Sequence, residues 1–309
     1  MKSIKVFAPA TVANVACGFD VIGLALDNPG DEIEMSLSDT PGIKILGING
    51  ADLPLEPSKN VCGVALQALM QKYEDKNVGF EMTITKNIQP GSGIGSSAAS
   101  AAGAVVAANI LLGEPFAKEK LVRFAMEGER LASGSAHADN VAPAILGGFT
   151  LVRSYTPVDI VALPTPPNLW VTVIHPQIEV KTSDAREILK QKVLMKDAIK
   201  QWGNVAALVA GLYRNDYALI GRSLEDVIVE PVRSILIPAF HDLKIKCKEA
   251  GALGGGISGS GPSVFMLSTS EETARIVANV MHEVYAPLGV DFKVHVSPIN
   301  QSGVKVISQ

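Results

Sequence analysis

Cysteine is scarce in this 309-residue chain: Cys17, Cys62 and Cys247 stand far apart and form no C-x-x-C pair. That spacing gives no zinc signature and suits a reducing compartment. Basic charge is not in excess either, since 27 Lys and Arg face 31 Asp and Glu for a formal net charge of −4. General nucleic-acid binding wants a basic face, so no nucleic-acid partner is expected. No run of about 18 apolar residues occurs, so no membrane span is expected. The opening residues, Met1-Lys2-Ser3-Ile4-Lys5-Val6, lack a long apolar stretch, so no secretory leader is expected and the chain reads as cytoplasmic. Internal repeats and low-complexity tails are absent too. What is there is 47% hydrophobic and 19% charged, enough to bury a large core in one or two domains.

Short apolar or alternating segments at residues 4–8, 32–37, 43–48 and 80–85 read as strands, the second and third as possible partners. Apolar positions 61, 64, 65, 68 and 69 form a helical stripe over residues 60–73. A second helix is expected over 98–112, stopped by Gly113 and Pro115. Residues 118–132 repeat the helical spacing, with Leu121, Val122, Ala125, Leu131 and Ala132 toward the core and Gly134 beyond the end. Strands are expected at 148–153 and 170–175, around prolines 157, 164, 166 and 167. That Pro-rich stretch is the best boundary and divides the chain into domains 1–163 and 164–309. Beyond it, helical patterns cover 184–194, 196–212, 217–224 and a stretch from near Pro238 to near Gly251. A strand at 263–267 follows, Thr269-Ser-Glu-Glu272 reads as a capping box, and 292–296 alternates as a last strand. Strands and helices interleave without a parallel-sheet rhythm, so the fold class is α+β.

Residues 90–99, Pro-Gly-Ser-Gly-Ile-Gly-Ser-Ser-Ala-Ala, lead into an Ala-rich run whose N-cap Ser96 or Ser97 would suit. A glycine turn feeding a helix N-terminus gathers backbone N–H groups beside the positive end of the helix dipole, which is a phosphate site. No Lys-Ser or Lys-Thr follows, so it is not a P-loop, and no G-x-G-x-x-G can be read from 91, 93 and 95. A small-residue turn capping an ordinary buried helix is the competing explanation. A second Gly/Ser cluster, residues 254–262, requires unusual φ or close approach, or is a surface loop. Two such clusters point to one shared phosphate-bearing ligand. Ser135-Ala-His-Ala-Asp-Asn140 sets polar His137, Asp139 and Asn140 among alanines, where they must be hydrogen-bonded, act as caps, or function. No further His or Cys lies nearby to complete a metal site. Asn14 and Asp20 fall in a loop of small residues, where turn chemistry is the alternative. Arg186 and Arg233 are solvated or, if they converge, suited to a carboxylate.

Taken in order, Ala8-Pro-Ala-Thr-Val-Ala-Asn14, residues 90–99 and residues 256–263 resemble the three motifs of the GHMP kinase superfamily. Within it, the chain is similar to the homoserine kinase family nearly end to end. The resemblance runs through Gly18-Phe-Asp20, Lys59-Asn-Val61, His137-Ala-Asp-Asn-Val-Ala-Pro143, Ala185-Arg-Glu187 and Glu230-Pro-Val-Arg233. It implies a two-domain α+β fold: an N-terminal GHMP kinase domain with a left-handed βαβ unit and a ferredoxin-like C-terminal domain. ATP would lie between them, its phosphates wrapped by Pro90, Gly91, Ser92, Gly93, Ile94, Gly95, Ser96 and Ser97. Asn60 and Val61 would sit near adenine, Gly259, Ser260 and Gly261 would back the phosphate loop, and Ser97 with Glu129 would hold Mg²⁺. The small-molecule substrate implied is L-homoserine, phosphorylated on its side-chain hydroxyl in threonine biosynthesis. Arg186 and Arg233 would take its carboxylate, Asp20 and Asp139 its ammonium, and Asn14, His137 and Asn140 would surround the reacting hydroxyl.

Asn14 and Asn140 are the catalytic candidates. Mevalonate-type kinases carry Asp where this chain has Asn140, so transfer without a dedicated side-chain base is expected. A mevalonate-type kinase is the first alternative, and Asn140 with the two arginines weighs against it. A non-catalytic ATP sensor is the second, and it would be expected to have lost Ser97, Glu129 or the arginines. A homodimer fits the family. Ala16 and Cys17 add bulk to a loop that is commonly more Gly-rich in the family, and Ile94 stands where Leu is frequent.

Overall fold

The computed structural model describes residues 3–308 apart from 179, 181 and 191, so Met1 and Lys2 of the expected leaderless start lie outside the described residues. The first half contributes strands β1 (Ser3–Ala13), β2 (Ile22–Ser38), β3 (Gly42–Asn49), β4 (Gly79–Thr85), β5 (Phe149–Tyr155) and β6 (Val158–Leu163). Its helices are α1 (Val61–Lys72), α2 (Ser96–Leu111), α3 (Lys118–Ser133) and α4 (Val141–Leu146). β1 and β4 pair antiparallel with the two edges of β2, and β3 pairs parallel with β4 through the α1 crossover. That is the βαβ unit. Residues 43–48 were expected beside β2, and this pairing corrects the register: both edges of β2 are already taken. At its start, Ile22–Leu24, β2 is flanked by β5, which pairs in turn with β6. β6 escaped the sequence because it lies among the prolines.

α2 explains its own composition. Nearly every residue of it is buried, between the sheet on one side and α1 and α3 on the other. A helix packed on all sides must be thin, and alanine is both the thinnest and the best helix former. At Gly103 even a methyl group would press on Ile33 Cδ1 at 2.7 Å and Ala8 Cβ at 2.9 Å. Its cap is Gly95 at φ 71°, not Ser96 or Ser97, which fall inside the first turn.

The second half builds a four-stranded antiparallel sheet from β7 (Trp170–Pro176), β8 (Gly254–Ile257), β9 (Val264–Ser268) and β10 (Phe292–Pro298). Its strand order is β10-β7-β9-β8, the 4-1-3-2 order of a ferredoxin-like sheet. Helices α5 (Thr182–Glu187), α6 (Met195–Arg214), α7 (Tyr217–Ser223), α8 (Glu230–Arg233), α9 (Phe240–Glu249) and α10 (Glu271–Tyr285) complete it. The helix expected over 184–194 is only the six residues of α5, and its expected span includes residue 191, outside the described residues. α10 is capped by Ser270, whose hydroxyl accepts from Thr273 N, one residue later than the expected box. A last strand, β11 (Lys305–Ser308), leaves the second unit and pairs with β1 in the first sheet. The boundary near residue 163 therefore separates the two sheets except for this returning strand.

Three apolar cores follow. One lies between the first sheet and α1–α4, and one between the second sheet and α9 and α10. The third joins the units: Ala8, Ala10 and Val12 of β1 pack with Val171, Val173, Leu208, Leu212 and Phe265. This is why β1 alternates only as far as Ala8 and is buried on both faces beyond it. Among the described residues, no helix is long and apolar enough to cross a membrane.

Candidate active site

Gly91, Gly93 and Gly95 have φ of 75°, 78° and 71°, a backbone region that other residues enter only with strain. At Gly93 a Cβ would sit 2.5 Å from the Gly261 carbonyl oxygen; at Gly95 it would collide with Thr11 Oγ1 and approach Asn140 Oδ1 to 3.0 Å. The carbonyls of the loop are tied back. Ser263 Oγ donates to Ser92 O at 2.6 Å, Ser258 Oγ to Gly93 O at 2.8 Å, and Thr11 N to Ile94 O at 3.1 Å. Ser96 is tied the same way, its hydroxyl donating to Ile88 O at 2.8 Å. With these oxygens engaged elsewhere, the loop and the first turn of α2 offer N–H groups and a helix dipole, which is what an anion requires. Below them the buried Lys86 ammonium donates to Ser96 O at 2.9 Å, to Ser100 Oγ at 2.8 Å and to the Asp31 carboxylate.

Glu129, on α3, is 6% exposed beside Ser97 and Lys86, and its Oε1 has no hydrogen-bond partner. Burial pushes its pKa up to about 7, against the opposing pull of the Ser97 hydrogen bond and the Lys86 charge. Among the described residues no three His, Cys, Asp or Glu side chains cluster as a metal cage. One carboxylate and one hydroxyl beside an anion cradle nevertheless fit Mg²⁺, which takes few protein ligands when phosphates supply the rest.

The other end of the same cleft, about 830 Å³ in volume, gathers the polar residues of four segments. Asp20 accepts from Arg186 Nη2 through both oxygens, at 2.9 and 3.0 Å, and lies 3.7 Å from His137 Nδ1. Asn14 braces the loop, its Nδ2 donating to Gly259 O at 2.8 Å and its Oδ1 accepting from Asp20 N at 3.0 Å. Asn140 Oδ1 accepts from Thr11 Oγ1 at 2.7 Å. Asp139 is buried, and burial together with the Asp20 and Glu129 charges pushes it up to about 7. Burial pulls His137 down, with Asp20 opposing, and its Nε2 has no partner. Arg233 is 3% exposed and donates to Ala185 O at 2.7 Å and Gly259 O at 3.2 Å. Among the described residues no carboxylate lies within ion-pair distance of it; burial and the Arg186 charge lower its pKa to about 10.

Comparison with known proteins fits this geometry. Residues 60–148 match the GHMP kinases N terminal domain and residues 208–287 the GHMP kinases C terminal domain. The homoserine kinases of Chloroherpeton thalassium and Chlorobium phaeobacteroides are 48% and 49% identical, each alignment covering 99% of this chain and 100% of theirs. The crystal structure of homoserine kinase from Cytophaga hutchinsonii superposes with a TM-score of 0.95 at 53% identity, covering 99% of this chain and 98% of that one. The chain belongs to the homoserine kinase family of GHMP kinases.

Of the residues that the likeness to the homoserine kinase family singled out, most line the cleft: Asn14, Asp20, Val61, Ser97, Glu129, His137, Asp139, Asn140, Arg186, Arg233, Gly259 and Ser260. So do Pro90–Ser97, except Ile94, which is buried in the core that joins the two units. Asn60 lies off the wall as the cap of α1, accepting from Cys62 N at 3.0 Å, and Gly261 packs against Ile237 and Ile257. Leu131 and Ala132, expected in the core, instead line the cleft from the last turn of α3, where helical spacing alone cannot tell a cleft from a core. Sequence reasoning missed Lys86 and Phe19. Phe19 was legible only as the middle of Gly18-Phe-Asp20, and nothing local marks Lys86.

Proposed function

We propose that the chain transfers the γ-phosphoryl group of ATP to the side-chain hydroxyl of L-homoserine, giving O-phospho-L-homoserine, as a step of threonine biosynthesis. Arg233 carries this reading: a buried guanidinium without a carboxylate partner among the described residues, in a cleft whose other end is an anion cradle. Leaving a buried cation unpaired is costly, and a ligand carboxylate removes that cost. Arg186 is the second arm, and Asp20 and Asp139 receive the ammonium. Asp139, held near neutrality at about 7, gains most from an arriving cation. Val61, Leu53 and Leu131 give the adenine an apolar slot at the loop end.

Ser97 and Glu129 are the residues to hold Mg²⁺, which when bound neutralises charge developing on the transferring phosphates. Asn140 cannot take a proton, and its Oδ1 is committed to Thr11, so it has an N–H to offer the reacting oxygen. The hydroxyl proton therefore leaves late, toward the transferring phosphoryl group, with positioning and charge stabilisation as the source of rate. The free, buried cysteines support a cytoplasmic setting, and family likeness supports a homodimer, checked by sedimentation.

The test is Mg²⁺-dependent ADP release with L-homoserine, L-serine, L-threonine, mevalonate and galactose, read with phosphorus NMR. Homoserine should turn over best and give a phosphomonoester on its side-chain oxygen. Arg233→Met should raise its KM by roughly 100-fold, the scale of a lost charge-assisted bidentate pair. Turnover of another alcohol alone would overturn the substrate, and ATP binding without turnover would favour a sensor.

A further inference from the structure

Phe19 lies on the cleft wall with its ring 5.1 Å from Arg233 Cζ and 5.6 Å from Arg186 Cζ. Both distances are within the range where a guanidinium is attracted to the face of an aromatic ring. Among the described residues it is the one ring that serves two cations; Phe116 and Phe240 each meet a single lysine. Two like charges in one pocket repel, and something must hold them together. Asp20 offsets part of the repulsion by pairing with Arg186 Nη2, but a carboxylate on Arg233 as well would occupy the N–H donors that a ligand carboxylate needs. An aromatic face attracts both cations without using any of their N–H donors.

The loop that presents the ring is held against its own preferences. Asn14, Val15, Ala16 and Asp20 all have positive φ, at 72°, 40°, 59° and 59°. Such conformations persist only where surrounding bonds over-determine them. Asn14 bonds Gly259 and Asp20, Gln201 Nε2 donates to Cys17 O at 2.8 Å, and Tyr155 OH donates to Asp20 O at 2.7 Å. Contacts from both units thus fix the residues on either side of Phe19.

We propose that Phe19 is a positioning residue that holds Arg186 and Arg233 side by side, and so sets the preference for a substrate bearing a free α-carboxylate. This rests on the carboxylate role given to the two arginines above. The experiment compares L-homoserine with 3-amino-1-propanol, which keeps the ammonium and hydroxyl and lacks the carboxylate. The full chain carries Phe19→Leu or, at the same position, mono-, di- and trifluorinated phenylalanine, which weaken the ring face with little change of shape. Phe19→Leu should raise the KM for homoserine about tenfold, equivalent to ~1.4 kcal/mol. The KM for ATP should stay within about twofold, and the kcat/KM ratio of homoserine to 3-amino-1-propanol should fall by the same factor. The fluorinated series should raise the homoserine KM in steps, and Phe19→Tyr should restore it. A fluorinated series indistinguishable from the native ring overturns the proposal, as does an equal KM rise for both substrates. If the native chain fails on homoserine, the assigned reaction falls first; if it succeeds and the ratio does not move, only the role of Phe19 falls.

Discussion

In the first glycine cluster, residues 90–97, every glycine has positive φ and the chain turns so that its carbonyls point away from the cleft. In the second, Gly255 and Gly256 lie in β8, and a Cβ on Gly255 would overlap the Phe265 carbonyl oxygen of the neighbouring strand. The compositions are alike. Glycine is needed for close strand approach within β8, and for its backbone angles at Gly91, Gly93 and Gly95 and again at Gly259 and Gly261 beyond β8. Of these, Gly91, Gly93, Gly95 and Gly259 line the cleft, and no glycine of β8 does. The comparison teaches that a glycine-rich stretch is not by itself a binding loop: what matters is which atoms the missing side chains leave room for.

Substitutions separate the two. The largest effect is expected for Gly255→Ala, where backbone must move: a stability loss of about 3 kcal/mol or more, and a thermal midpoint lower by roughly 8 °C or more. A midpoint within about 1 °C of the native chain's would refute the strand-approach reading. Next comes Gly95→Ala, which breaks the Thr11–Asn140 contact and strains φ. Turnover on homoserine should drop by about two orders of magnitude, with a smaller thermal shift than Gly255→Ala gives.

Glu129→Gln then tests the ligand side of the first cluster. In the metal-free chain burial holds the Glu129 proton up to about 7, so Mg²⁺ must displace that proton at lower pH, and the apparent KM for Mg²⁺ should rise roughly tenfold per pH unit below that value. The variant should be slow, and its KM for Mg²⁺ should not steepen in this way. Stability runs the other way. The folded state holds this proton up to about 7 while the unfolded chain releases it near 4.5, so its destabilising contribution grows across that window and is full above it. Glu129→Gln should therefore melt higher than the native chain at pH 8, with the gap closing toward pH 4.5. The smallest effect is expected at Gly91→Ala, where nothing lies within 4 Å and only the positive φ opposes the methyl group. About 1 kcal/mol of strain should raise the ATP KM a few-fold, and a large loss would mean the loop closes on the nucleotide at this point.

Local signals carried well where one element decides the outcome. The stripe over residues 60–73 became α1 with Asn60 as its cap, and Gly134 ends α3 at φ 77°. The cleft residues were legible because their motifs are short and polar in apolar surroundings, as in His137-Ala-Asp-Asn140. What failed was long-range. β3 alternates like a partner for β2, yet its neighbour is set by the α1 crossover, which no alternation encodes. Ser96 looked like a cap or a phosphate ligand, and its hydroxyl is used by Ile88 from the preceding strand exit. Lys86 is hidden because a buried ion pair needs two strands and a helix to exist at all, and Asp31 lies far away in the chain.

The pairing of β1 with β11, Lys5 opposite Ser308, means that the strand made first is sealed by a strand made last. While the chain is being synthesised, that flank of β1 stays a row of open N–H and C=O groups, a template for the wrong neighbour. Cut after residue 163, the first sheet would lose its β11 edge strand. The later half of the chain therefore hands a strand back to the first sheet rather than simply following it.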